Sequence, residues 1–334
     1  MATPALDPSL SIMELLARHG PASMPEEVSL DDAMAYVRGL ASSHYENFSV
    51  LSALAPADLR DDFAAVYAFC RWADDLGDET GSDDLARARS GQLLGWWRDE
   101  LRSCFEGHAE HPVYVALGPT VRKHGLPIRP FEDLIDAFQQ DQSVRTYRTW
   151  DELLGYCARS ANPVGRLVLG LAGYGGGDAD RLAMSDATCT ALQLTNFWQD
   201  VRRDLLERDR VYLPSEETGI GAAELRVLSE RADDPAARVK YIRALRPLVE
   251  RTRDLFERGS ALPRRLDGRI APVVWLFGAG GRAVLDAVER SGCVTLWERP
   301  RLSYGRKAWL VARAWAMARL GMFGDAAPDG RGAS

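Results

Sequence analysis

The chain has 334 residues, 46% of them apolar and 27% charged, with 29 glycines and 17 prolines. That mix excludes wholesale disorder, a collagen-like fibre and a small disulfide-stapled scaffold, and the length suffices for a large core around a deep cavity. The 48 acidic and 41 basic residues leave a net charge of −7, which excludes general nucleic-acid binding because no long basic stripe is offered to phosphates.

The N-terminus has no basic region ahead of an apolar signal segment, since Asp7 and Glu14 interrupt it. Apolar residues then recur at helical spacing near 30–42, 60–80, 88–105, 131–145, 150–175, 184–206, 235–260, 267–290 and 305–320. Prolines such as Pro112, Pro127, Pro235 and Pro247 are read as punctuating or opening these segments. No period-two run of β-branched residues stands between them, so the expected class is all-α. Two polar connectors, Glu79–Arg89 and Glu207 to about Asp234, follow the two acidic segments described next. Cys70, Cys104, Cys157, Cys189 and Cys293 are widely spaced and are expected to be buried free thiols in a reducing compartment. The histidines form no metal-binding pattern. The most apolar stretches, 167–177 and 271–281, are short and glycine-rich, so a spanning helix is not expected. Loose contact with a membrane surface stays open. One helical domain over 1–324 with a loose tail at 325–334 is the economical division.

The chemistry concentrates in two places. In Tyr67-Ala-Phe-Cys-Arg-Trp-Ala-Asp-Asp-Leu-Gly-Asp78, the residues Tyr67, Arg71, Asp74 and Asp78 share one helical stripe, while Ala65, Phe69, Trp72 and Leu76 form an apolar back. In Gln193-Leu-Thr-Asn-Phe-Trp-Gln-Asp-Val-Arg-Arg-Asp204, the residues Gln193, Asn196, Asp200 and Asp204 form a second stripe. Asn and Asp oxygens four residues apart suit a hard divalent cation, and Mg²⁺ favours carboxylates completed by water and substrate phosphate. Two such stripes on facing helices would hold Mg²⁺ against a diphosphate. Either stripe alone is equally well a solvated face with incidental salt bridges.

The segments YAFCRWADDLGDE (67–79) and QLTNFWQDVRRDLLERDRVYLP (193–214), with GYCARSANPVGRLVL (155–169) between them, resemble the squalene/phytoene synthase family over most of residues 30–310. The stretch His44-Tyr-Glu-Asn-Phe-Ser49 and Asn196-Phe-Trp-Gln-Asp200 are most similar to its bacterial hopanoid-pathway branch, the hydroxysqualene synthases often called squalene synthases. The resemblance implies an isoprenoid synthase fold and Mg²⁺-dependent conversion of presqualene diphosphate and water to hydroxysqualene and diphosphate. A separate presqualene diphosphate synthase would supply the substrate and a flavin-dependent reductase would act on the product. The rival reading is head-to-head condensation of two prenyl diphosphates, such as farnesyl diphosphate, and a third is a non-catalytic prenyl-lipid-binding assembly protein. Cytoplasmic residence, at or near the inner face of a membrane, goes with each.

The same resemblance implies the roles of single residues. Asp74 and Asp78 would be one set of metal ligands, with Asp75 beside them, and Asn196, Asp200 and Asp204 the other. Arg71 and His44 would contact the diphosphate, and Tyr156 would donate a hydrogen bond in the cavity. Arg299 and Lys307 would form a basic pair facing the leaving group, and Arg208, Arg210 and Tyr212 would belong to a flap. Taken alone, Tyr156 is equally a packed phenol, and the Arg299–Lys307 pair a solvated surface interrupted by Pro300. Two departures stand out. Gln199 replaces the arginine that many condensing members carry, with Arg202 or Arg203 available to compensate. A tyrosine of carotenoid-type members falls near Gly281.

Overall fold

The computed structural model describes residues 7, 10–23, 27–43, 54–78 and 83–323. Among them the regular structure is helical, with one isolated parallel bridge between Thr146 and Val211. The helices are α1 (Ile12–His19), α2 (Leu30–Ser43), α3 (Arg60–Asp78), α4 (Asp84–Glu106), α5 (Pro112–His124), α6 (Arg129–Asp141), α7 (Trp150–Ser160), α8 (Asn162–Leu171), α9 (Ala179–Glu207), α10 (Ser215–Thr218), α11 (Ala222–Ser229), α12 (Pro235–Gly259), α13 (Ala271–Arg290) and α14 (Tyr304–Arg319). His44 and the tail 325–334 lie outside the described residues. The contacts group into two compact units, Met1–Ser143 with Arg166–Gly175, and Val144–Gly165 with Gly176–Ser334.

In the first unit α3 packs against α2, α4, α5 and α6. Its back face, Ala65, Phe69, Trp72 and Leu76, is fully buried as the spacing requires. The core is aromatic: Trp72 stacks on Trp97 at 5.3 Å between ring centres, and Phe69 meets Phe131 edge-on at 5.0 Å. Two polar tips find partners inside it, whereas Trp97 Nε1 is buried without one among the described residues. Trp72 Nε1 donates to Tyr36 Oη (3.0 Å) and Tyr114 Oη to the Trp97 carbonyl (2.6 Å). Near the start of α3 the buried Asp62 accepts from Thr120 Oγ1 and Lys123 Nζ and meets His124 Nε2 at 2.9 Å, so a charge taken out of water is compensated on three sides.

In the second unit α9 packs against α7, α11, α12 and α13. Three glycines admit its neighbours. A Cβ on Gly165 would lie 2.5 Å from Cys189 Sγ, on Gly259 2.8 Å from the Met184 carbonyl oxygen, and on Gly281 2.3 Å from Leu192 Cδ2. Helix α13 is long and apolar enough to span a membrane by length and composition, and 44% of its apolar stretch is buried in the fold. The cysteines are free, with Cys104, Cys157 and Cys293 buried and Cys70 and Cys189 half-buried, as expected.

Several boundaries differ from the periodicity. Helices α1 and α5 were not expected. Pro112 opens α5 at its first turn behind an N-cap made by His111, and Pro119 and Pro247 lie inside helices instead of ending them. The span 150–175 is two helices broken at Ala161. The first connector is shorter than read, because Asp83 caps α4 through the Ala86 amide. The second connector contains α10 and α11, and its Val211–Pro214 run is buried.

Candidate active site

The first acidic segment ends α3. With the aromatic back face fixed in the core, Arg71, Asp74 and Asp78 lie on the other side of the helix. Arg71 grips Asp75 with two nitrogens, Nε at 2.9 Å and Nη2 at 2.6 Å, while its Nη1 is 3.9 Å from Asp74. Asp75 is thus the arginine's principal partner, and Asp74 (side chain 48% exposed) and Asp78 present accessible carboxylates. The last turn is held by Gln142, whose Nε2 donates to the Gly77 carbonyl at 3.1 Å.

The second acidic segment lies along α9, which is kinked at Asp200, where φ is −107° and ψ 15°. This kink resets the stripe expected from spacing: Asn196 is exposed, whereas Asp200 and Asp204 are only 6% and 5% exposed. Asp200 is well compensated. Arg299 donates to it with Nε and with Nη2 (3.1 Å), and Arg203 Nη2 lies 3.1 Å away. Asp204 has a longer contact, Arg203 at 3.5 Å, and Arg208 is also near enough to favour its charge. Burial raises its carboxyl to about 6, an effect that Arg203 only partly opposes.

Arg203 therefore supplies a cation to both aspartates. Arg202 does not, because its guanidinium donates to the carbonyls of Ser229 (2.9 Å) and Leu296 (3.4 Å). Gln199 Nε2 donates to the Pro300 carbonyl at 2.7 Å and so fastens the strand of chain that carries Arg299 beside Asp200. Lys307 lies farther on, exposed on α14, its ammonium 5.8 Å from the Tyr304 ring centre.

One turn before the kink, α9 contributes to a cluster of rings. Phe197 stacks face to face on Tyr212 at 3.7 Å, and Tyr156 lies 6.1 Å from Phe197 and 5.9 Å from Tyr212. Tyr147 completes the cluster 5.5 Å from Tyr156. All four are buried. The chain on either side of Tyr212 is hydrogen-bonded to the segment that carries Tyr147: Val211 N donates to the Arg145 carbonyl (2.7 Å) and Ser215 N to that of Tyr147 (3.1 Å). Spacing could not reveal Tyr147, since a backbone bridge and not a helical period brings it in. Arg203 had a signal, lying three residues after Asp200 and next to Asp204.

Among the described residues no three His, Cys, Asp or Glu side chains cluster as a ready-made metal cage, so any cation here would rest on a carboxylate pair completed from outside the protein. Mg²⁺ takes one or two carboxylates plus water and phosphate oxygens. Asp74 with Asp78, and Asp200 with Asp204, each offer such a pair, and Asn196 adds a neutral oxygen. Burial holds the Asp204 carboxyl up at about 6, so a nearby positive ion would favour its ionised form.

A sequence model of squalene/phytoene synthases matches residues 41–306. The hydroxysqualene synthase of Zymomonas mobilis is 37% identical over 174 residues, which are 51% of this chain and 55% of that protein, so the match spans little more than half of that relative. The phytoene synthase of Arthrospira platensis is 28% identical over 301 residues, 86% of this chain and 94% of that one. Among solved structures, squalene synthase HpnC from Alicyclobacillus acidocaldarius is similar with a TM-score of 0.70 at 41% identity, covering 79% of this chain and 95% of that one.

Proposed function

The chain belongs to the squalene/phytoene synthase family and has its all-helical isoprenoid synthase fold, and from that premise we propose that it converts presqualene diphosphate and water to hydroxysqualene and diphosphate. Members of the family act on prenyl diphosphates, so the site must hold an oily chain and a polyanionic leaving group. The bond between carbon and diphosphate oxygen breaks with its electron pair on the diphosphate. The cyclopropylcarbinyl cation rearranges, and a water oxygen forms the new bond and gives up a proton.

Asp74 and Asp78 would hold Mg²⁺ in this reading, as would Asn196, Asp200 and Asp204. The chemistry such ions supply when bound is neutralisation of the leaving diphosphate. Arg299 and Arg203 balance Asp200 and orient the anion nearby, with Arg71 serving the first segment and Lys307 and His44 as further diphosphate contacts. Tyr147, Tyr156, Phe197 and Tyr212 form an apolar wall that excludes water until the cation has rearranged, and their ring faces favour positive charge by about 0.5–2 kcal/mol each. The observation that carries the reading is the buried Asp200–Asp204 pair, held beside Arg203 and Arg299 and one turn from a wall of rings. The likeness to a hydroxysqualene synthase supports the choice of substrate.

Head-to-head condensation of two prenyl diphosphates is the second reading. The longer match to a phytoene synthase favours it, as does Arg203, which restores a cation beside Asp200 that Gln199 does not provide. Incubation with Mg²⁺ and either presqualene or farnesyl diphosphate, followed by mass spectrometry, separates the two. Hydroxysqualene from presqualene diphosphate with farnesyl diphosphate untouched is the expected result. Consumption of farnesyl diphosphate alone would establish the condensing reading.

A further inference from the structure

Helix α14 rests on α13 through a narrow strip in which Leu310 and Ala314 are buried. Most of the rest of its surface is open, with Val311, Ala316 and Met317 half-buried, and its exposed positions mix cations with tryptophan and alanine in place of a face of both charge signs. Trp309 is 45% and Trp315 53% exposed, and the chain that follows adds Leu320 at 73%. Exposed Ala308, Ala312 and Ala318 lie among them. The charge is as one-sided as the hydrophobicity. From Arg301 to Phe323 there are five basic residues and no Asp or Glu, in a chain whose net charge is −7.

Three of these cations, Arg306, Arg313 and Arg319, make no ion pair with an acidic residue among those described. They lie over indole rings instead: Arg306 over Trp309 at 4.7 Å, Arg313 between Trp309 (5.1 Å) and Trp275 (5.3 Å), and Arg319 over Trp315 at 4.4 Å. A guanidinium placed over an exposed indole presents a cation and an amphipathic ring side by side. A protein partner would call for hydrogen-bonding variety, and α14 offers no uncharged polar side chain except the Tyr304 hydroxyl. The headgroup layer of a bilayer calls for what is present: tryptophan at the boundary, small apolar residues between, and long cations reaching outward.

We infer that α14 with Leu320 and Met322 is a membrane-docking surface for anionic lipid headgroups, its helix lying in the plane of the interface. The inference is independent of the reaction proposed above. Flotation of the full chain with vesicles tests it. The protein should float with vesicles of phosphatidylcholine mixed with phosphatidylglycerol, not with phosphatidylcholine alone, and high salt should release it. Two variants on exposed positions, Trp309→Ala/Trp315→Ala and Arg313→Gln/Arg319→Gln, should each weaken vesicle binding by at least about tenfold. Circular dichroism and turnover of soluble substrate should stay at wild-type values. Failure of the wild type to bind anionic vesicles would overturn the inference, as would undiminished binding by both variants. A concentration-dependent dimer that the tryptophan variant dissociates, without effect on flotation, would assign the face to a second copy of the chain instead.

Discussion

Asp204 carries an unusual burden for a carboxylate. Its displacement from an ordinary 3.8 to about 6 arises first from burial, and a rise of that size sets about 3 kcal/mol against the ionised form. Asp204→Asn should therefore raise the stability of the ion-free protein at pH 7.5 by about 1–3 kcal/mol while abolishing turnover. Thermal melts check this, and Mg²⁺ should raise the melting temperature of the wild type more than that of the variant. A variant less stable than wild type would contradict it. His111 is a second buried group, enclosed by Trp72 at 4.4 Å and Trp97 at 4.9 Å, with His19 at 6.0 Å. Its Nδ1 accepts from the Val113 amide at 3.2 Å. Burial holds its pKa well below 6.5, so the unfolded chain takes up the proton first. Its contribution is complete above about pH 6.5 and is lost as pH falls toward the folded value, at up to about 1.4 kcal/mol per pH unit. Urea unfolding from pH 7.5 to 5 should show this slope in the wild type and a shallower one in His111→Asn; equal slopes would refute the assignment. Both aspartates of the second segment were legible from spacing, but their burial was not. His111 looked like an unremarkable member of a patternless set, because a cap depends on where a helix starts.

At the scale of elements, α9 organises its unit by close approach at glycines. A Cβ on Gly259 would sit 2.8 Å from a backbone oxygen of α9, which cannot swing aside as a side chain can. Gly259→Ala should cost about 1–3 kcal/mol, measurable as a lower denaturant midpoint; a neutral effect would show that α12 is free to shift. Gly281 explains one departure from carotenoid-type members in the same terms, since Leu192 and the Phe256 ring, 2.8 Å from its Cβ position, fill the space a tyrosine would need. The long amphipathic helices were readable because their apolar period is strong. Helix α1 was not, being eight residues long, and α5 was hidden by Pro112 and Pro119, which look like breakers until one is seen at the first turn. The kink at Asp200 had no signature at all. Its neighbours in sequence are ordinary helix residues, and only the geometry of α9 in its packed setting discloses it.

At the scale of the whole chain, the family was legible from two acidic segments 126 residues apart, because oxygen donors at helical spacing with an arginine nearby are rarely repeated by accident. The reaction was less so, since a prenyl chain leaves only apolar residues as its trace. The aromatic wall of Tyr147, Tyr156, Phe197 and Tyr212 assembles from four separate stretches and so has no linear pattern to read. The proposed reaction is a cation-dependent loss of diphosphate that would be served by both acidic segments. The direct test is diphosphate release from presqualene diphosphate by the wild type, Asp74→Asn and Asp200→Asn, with Mg²⁺ and with a chelator. Release should be rapid only for the wild type with Mg²⁺ and at least about a hundredfold slower in the other cases; equal release by either variant, or by the chelated wild type, would contradict it.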